Sequence, residues 1–320
     1  MHDIVVRVCG DHWVNSVEVE QNLKNINPSA PVRLDLCAEG PSLGALGILT
    51  ALRSCCELIG RDPASIVIDN WHNTVEVVEF TRLHNPKVSH FFWMSDTYRH
   101  QLLGTNQHQY LMAFFVGRAT LSRAVMMWEL YHTLDDQILL SLMHNHLFKL
   151  YKDHGVDSIG EFLNPDQILD FQSWWDQVPV TSLDGHSVRD QYDPAHNTNR
   201  DLIQFYPQFD IEVVAETYTR GITFFPTEKT VRPLAMGKAS IVYGPANYLQ
   251  RLKKMGFQTW DSIWDESYDT LEGPARWRAM SALIKKLYQQ ERNPMLEQIT
   301  VIGQHNQRVL QNIIKLYQPR

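Results

Sequence analysis

Short apolar runs alternate along this chain with segments whose apolar residues recur three and four positions apart. Ile4 to Cys9 (IVVRVC), Val32 to Cys37 (VRLDLC), Ser65 to Asp69 (SIVID) and Ser89 to Trp93 (SHFFW) are rich in β-branched or aromatic residues and predict strands. After the second of them, residues 38–47 form a glycine-bearing turn that opens an apolar helix ending near Ile59. A further set of strands is predicted over Leu111 to Val116, Gln137 to Leu142, Phe209 to Ala215 and Ala239 to Tyr243, with a helix over Leu121 to Leu134. This alternation predicts an α/β protein with two Rossmann-like, doubly wound domains, residues 1–107 and 108–320, and a C-terminal helical tail.

Between 147 and 208 the pattern loosens into a polar, turn-rich stretch studded with aromatics, which reads as an insertion or a long functional loop. Trp174, Trp175 and Tyr192 within it either stack on a sugar or base or form a satellite core. Trp260 to Tyr268 carries Asp261, Asp265 and Asp269 at four-residue spacing and reads as a solvated helix face. From Gly273 onward the chain is helical, with Arg276, Arg278, Lys285, Lys286, Arg308 and Lys315 among apolar positions.

The densest choice of residues lies between Phe224 and Phe257. Thr227 suits a helix N-cap and Glu228 its first turn. Lys229 opposes the positive end of the macrodipole, so a nearby anion is the simplest compensation. Gly237 then ends the helix, and Ala239 to Tyr243 closes in Gly244-Pro245. The alternative is a helix whose Glu228 and Lys229 simply meet solvent.

Thr-Glu-Lys opening a helix, followed by a small-residue turn and an apolar strand ending in Gly-Pro, resembles the donor-binding segment of family-10 glycosyltransferases, the α-1,3-fucosyltransferases. Phe114 to Arg123 (FFVGRATLSR) is similar to the strand and arginine-bearing turn that open that family's C-terminal domain. The resemblance implies a GT-B fold and an inverting transfer from a nucleotide sugar, with Glu228 on the ribose hydroxyls and Lys229 on the phosphates. Gly117, Arg118, Arg123, Phe225 and Thr227 complete the implied donor site, Arg118 and Arg123 bracketing a helix start as diphosphate partners or surface residues. Phe225 stands where the family usually has tyrosine, and Pro233 falls inside the helix, where it should kink or shorten it.

The transfer needs a base for the acceptor hydroxyl. Glu39, on the loop after the second strand, is the candidate and Asp69 the next; a helix cap is the other role open to Glu39. No two aspartates stand two residues apart, so the Asp-x-Asp of metal-dependent glycosyltransferases is missing and neither a metal nor another cofactor is expected. His144 and His146, the closest histidine pair, have no partner motif and read as loop or core residues.

With 20% charged residues, 44% hydrophobic residues and a formal charge of −7, the chain reads as globular with no overall attraction to nucleic acid or anionic membrane. Cys9, Cys37, Cys55 and Cys56 form no C-x-x-C pair and read as reduced thiols. No run nears the length of a membrane span, and the charged start argues against a signal peptide, so a cytoplasmic location is expected. The expected partners are a nucleotide-sugar donor and a glycan or other hydroxyl acceptor. Two further readings stay open: transfer to a hydroxylated base in DNA, held by the basic C-terminal helices and the aromatic insertion, and a non-catalytic nucleotide- or glycan-binding protein.

Overall fold

The apolar runs fold mainly as strands of two separate parallel sheets in the computed structural model of the chain. The structure describes residues 2–5, 8–9, 12–13, 15–36, 48–70, 81–82, 107–117, 119–142, 158–178, 202–221, 224 and 226–317. Internal contacts divide the chain into two units, residues 1–90 with 220–225 and residues 91–219 with 226–320. The expected boundary at residue 107 adjoins residues 83–106, and these, with the expected strand over Ser89 to Trp93, lie outside the described residues.

Unit 1 runs β1 (His2–Val5), β2 (Val8–Cys9), β3 (His12–Trp13), α1 (Ser16–Asn25), β4 (Val32–Leu36), α2 (Ile48–Ile59), β5 (Ile66–Asn70) and β6 (Thr81–Arg82). The single strand expected over Ile4 to Cys9 is divided. Its first part pairs with β4, while Val8–Cys9 turns back against His12–Trp13. The main sheet has the order β1-β4-β5-β6 with every pair parallel. Because that order follows the chain, right-handed crossovers place α1 and α2 on the same face, and the two helices do pack together. A doubly wound sheet must reverse its order, and the described strands of this unit do not.

Val19 and Leu23 of α1, Leu52 and Cys55 of α2, and Val32, Leu34 and Ile66 of the sheet form the core. Burial pushes the thiols of Cys55 and Cys56 up, so both stay protonated. Arg61 closes the far side, donating to the carbonyls of Ala30, Ile26 and Asn27 at 2.8, 3.2 and 2.8 Å.

Unit 2 runs β7 (Tyr110–Val116), α3 (Leu121–Leu134), β8 (Ile138–Leu142), α4 (Pro165–Trp175), β9 (Phe209–Ala215), α5 (Glu228–Met236), β10 (Ala239–Tyr243), α6 (Tyr248–Lys254), α7 (Gly273–Tyr288) and α8 (Arg292–Tyr317). Its sheet order is β10-β9-β7-β8, again all parallel. The chain enters in the middle, steps one way to β8, and returns past β7 to β9 and β10. Since α3 and α5 belong to steps in opposite directions, they cover opposite faces. On one face α7 packs against α3 and β10, and on the other α8 packs along α5. This half is doubly wound as expected.

Every residue of β9 and β10 is buried, including Asp210 and Glu212. A buried carboxylate needs a partner. Asp210 meets His108 Nδ1 at 2.5 Å and Arg292 Nε at 2.6 Å, and Glu212 accepts from the Tyr206 hydroxyl and from Arg232 Nη2 at 2.9 Å. Burial would discharge Arg232, but Glu212 and Tyr206 outweigh it and hold the guanidinium charged. Through this pair α5 is pinned to the middle of β9.

Two expectations need correction. First, α5 continues through Pro233 to Met236 and ends at Gly237 in the left-handed conformation, φ 65°. In a nine-residue helix the absent proline N–H removes one bond of a short ladder, which burial of the helix on the sheet offsets. Second, Trp260 to Tyr268 is not a helix. Asp265 accepts from the Ser267 N–H at 2.8 Å, Asp261 meets Lys253 at 2.8 Å, and Asp269 is buried against Arg276, because short acidic side chains compete for nearby donors in turns. The C-terminal helical tail expected from the sequence is α8, and it packs on α5. Gln307 Nε2 donates to the Ala235 carbonyl at 2.9 Å, and Gly303 sits against Gly237.

That last contact has a steric limit. A Cβ on Gly303 would lie 2.2 Å from the Gly237 carbonyl oxygen, which is backbone and can yield only if α8 leaves α5. Gly303→Ala is therefore expected to destabilise the protein by about 1–3 kcal/mol. Urea denaturation measures it; a variant as stable as the wild type would mean that the two helices do not pack this closely.

The expected insertion is partly regular. Ser158 with Glu161 and Asn164 with Gln167 form two capping boxes, and the second starts α4. Phe171, Trp174 and Trp175 are buried, Phe171 meets Trp128 of α3 edge-on, and Trp128 Nε1 donates to Asp170 at 3.1 Å. Trp174 and Trp175 thus belong to a satellite core. Tyr192, His144 and His146 lie outside the described residues.

Candidate functional site

A parallel sheet whose order reverses leaves a crevice beyond the carboxyl ends of the two strands at the reversal. In unit 2 these are β7, ending at Val116, and β9, ending at Ala215. Gly117 follows β7 directly, is exposed, and would have nothing within 4 Å of an added Cβ, so the space beside it is open.

Glu216 follows β9 and is 1% exposed. Its Oε1 accepts from the Thr227 N–H at 3.0 Å, Thr230 Oγ1 at 2.6 Å and the Tyr248 hydroxyl at 2.9 Å. Its Oε2 accepts from Thr227 Oγ1 at 2.6 Å and the Thr217 N–H at 3.3 Å. Burial and the adjacent carboxylate push the Tyr248 phenol well above its ordinary range, so it remains a donor. One carboxylate thereby gathers the end of β9, the first turn of α5 and the start of α6.

The consequence reaches Lys229. Because the Thr227 proton is turned to Glu216, the lone pairs of its hydroxyl face the Lys229 N–H at 3.3 Å and the Lys229 ammonium at 3.1 Å. Thr227 is therefore the N-cap that its position predicts. The ammonium also donates to Glu228 Oε1 at 2.9 Å, and the two side chains are 19% and 21% exposed. Burial alone would raise the Glu228 carboxyl, but the Lys229 ammonium, together with Arg232 and a backbone hydrogen bond, outweighs it and holds it down at about 2. The counter-charge that a lysine in the first turn requires is, in this structure, its own neighbour.

Arg123 is 8% exposed, and its Nη2 donates to the carbonyls of Ala215 and Glu216 at 3.1 and 2.9 Å. It is not a surface residue, and through these two bonds it straps α3 to the end of β9. Arg118, Phe225 and Glu39, with its glycine turn, lie outside the described residues. Asp69 is the fourth residue of β5, in register with Asp35 of β4. Among the described strands β4 lies between β1 and β5, with no reversal of order at its carboxyl end. Among the described residues no three His, Cys, Asp or Glu side chains gather as a metal site requires.

Glu216 and Arg232 are absent from the residues singled out by sequence. A signal for Glu216 exists, an acid immediately after the apolar run FDIEVVA and before the threonines of ETYTRG. Arg232 has none, because a basic residue in a helix ordinarily faces water.

No protein-family model matches the chain, and no curated protein matches it significantly.

Proposed function

We propose that the protein is a metal-independent glycosyltransferase of GT-B type that takes its nucleotide-sugar donor on unit 2. The observation carrying this reading is the partly exposed Glu228–Lys229 pair in the first turn of α5, next to the reversal of a doubly wound sheet. The N–H groups of that turn and the ammonium suit a diphosphate, and the carboxylate suits the vicinal hydroxyls of a ribose. On binding, the pair exchanges its mutual contact for these two. Lys229 then faces the negative charge that grows on the departing nucleoside diphosphate. Glu39 or Asp69 supplies the base for the acceptor hydroxyl in this reading, and an inverting outcome is what the resemblance to family-10 glycosyltransferases implies.

A thermal-shift screen against nucleoside diphosphates and their sugars tests this directly, since a ligand at a hundred times its dissociation constant stabilises by about 2.7 kcal/mol. Lys229→Ala and Glu228→Ala are each expected to weaken the best ligand by about tenfold or more, the loss of one charge-assisted contact. Wild-type affinity in both would sink the site.

The base is tested by turnover. Glu39→Gln or Asp69→Asn is expected to cut the rate by roughly a hundredfold with donor affinity kept. If neither does, the base lies elsewhere.

A further inference from the structure

Unit 2 holds a cavity of about 450 Å³ that the donor site does not use, a size ordinary for a small-molecule site. One wall is α4, where Phe171 and Trp175 stand four residues apart with ring centroids 6.0 Å apart and planes inclined by 16°. Gln172 and Asp176, also four apart, form a polar row beside this aromatic one. Both are exposed, and among the described residues nothing engages the Gln172 amide or the Asp176 carboxylate. Across from them Ser158 accepts the Gly160 N–H at 3.2 Å, which leaves its hydroxyl proton to donate into the cavity.

We propose that this cavity is a binding subsite for an uncharged saccharide, with a C–H face of the sugar ring against the Trp175 and Phe171 edge and its hydroxyls on Gln172, Asp176 and Ser158. A sugar hydroxyl both donates and accepts, which matches a carboxylate, an amide and a hydroxyl set in one wall. The lining contains a carboxylate and, among the described residues, no cation, which disfavours phosphate and other anions. The two rings stack on one another and are only 3% and 8% exposed, so a ligand meets their edges and not their faces. Leu121, also in the lining, opens α3 just after the end of β7, so the cavity lies toward the carboxyl edge of the sheet. An acceptor glycan fits that position, but the subsite itself does not depend on the donor reading.

The test is saturation-transfer NMR on the full chain with a panel of methyl glycosides and neutral di- and trisaccharides, and with nucleosides as the competing class. Trp175→Ala removes a buried ring and endangers folding, so the exposed pair carries the experiment through Gln172→Ala and Asp176→Ala. At least one neutral saccharide is expected to bind below about 10 mM, and each substitution to weaken it by about tenfold with the melting temperature unchanged. Absence of saccharide binding in that range, preference for nucleosides, or unchanged affinity in both variants would overturn the proposal. The nucleoside diphosphate shift and its loss in Lys229→Ala are measured separately, so failure at either site is told apart from failure at the other.

Discussion

Glu216→Ala is expected to be among the most damaging single substitutions in the chain, lowering stability by about 3–5 kcal/mol, because it strands several buried donors at once. The Thr227 N–H, Thr227 Oγ1, Thr230 Oγ1 and the Tyr248 hydroxyl all end on this carboxylate, and Tyr248 is wholly buried. Glu216→Gln separates the carboxylate from mere volume. An amide nitrogen in place of Oε2 meets a Thr227 hydroxyl whose lone pairs already face two donors on Lys229, so the cap is lost while the packing stays. The expected order of stability is wild type, then Gln, then Ala, read from urea denaturation. If Gln matched the wild type, the donors would be finding other acceptors and Glu216 would not organise the site.

Arg276→Met is expected to cost a similar amount, about 3–5 kcal/mol, for the opposite reason: it removes the cation and leaves the anion behind. Arg276 is fully buried on α7. It donates to the carbonyls of Val242, Pro245 and Asp269 at 3.0, 3.1 and 3.0 Å and to Asp269 Oδ1 at 2.8 Å. Asp269 in turn accepts the Leu249 and Gln250 N–H groups at the start of α6, at 3.0 and 3.2 Å. The loss therefore spreads from the end of β10 to the cap of α6. A cost under 1 kcal/mol would show that Met packs there and that solvent reaches Asp269. The same burial removes Arg276 from any basic surface offered to nucleic acid.

The acid side of the Glu228–Lys229 pair has a defined pH dependence. The Glu228 carboxyl is depressed from its ordinary 4.5 to about 2 in the folded chain, so the stability it contributes is complete above 4.5 and lost as pH falls through about 2. Removing Lys229 takes away the leading charge that lowers this carboxyl and so narrows that window.

Local chemistry made much of unit 2 legible. Phe209 to Ala215 and Ala239 to Tyr243 are strands because short runs rich in β-branched residues bury on both faces of a parallel sheet, where Asp210 and Glu212 of the first run are paired with arginines. Thr227 caps and Gly237 terminates α5 because a hydroxyl accepts a first-turn N–H and only glycine enters the left-handed conformation without cost. The acidic row at 261–269 was misleading because its three aspartates do not share one solvated face: Asp261 meets Lys253, Asp265 takes the Ser267 N–H, and Asp269 is buried against Arg276.

Strand order was beyond the reach of periodicity. The runs in units 1 and 2 look alike in sequence, yet one sheet keeps chain order and the other reverses it, since pairing depends on which crossovers bury their helices. The pairing of charges was equally hidden. Lys229 was legible as a cation needing an anion, and the tertiary structure decided that Glu228 and the Thr227 hydroxyl meet that need. Arg232 drew no reading and Arg276 read as part of the basic C-terminal helices, because sequence records the charge and not the burial, and their partners Glu212 and Asp269 lie twenty and seven residues away. What the sequence determined by itself was therefore the local elements, whose causes lie within a few residues. What only the tertiary structure decided was which buried charge meets which, because the cost of an unpaired charge is settled by neighbours brought from elsewhere in the chain.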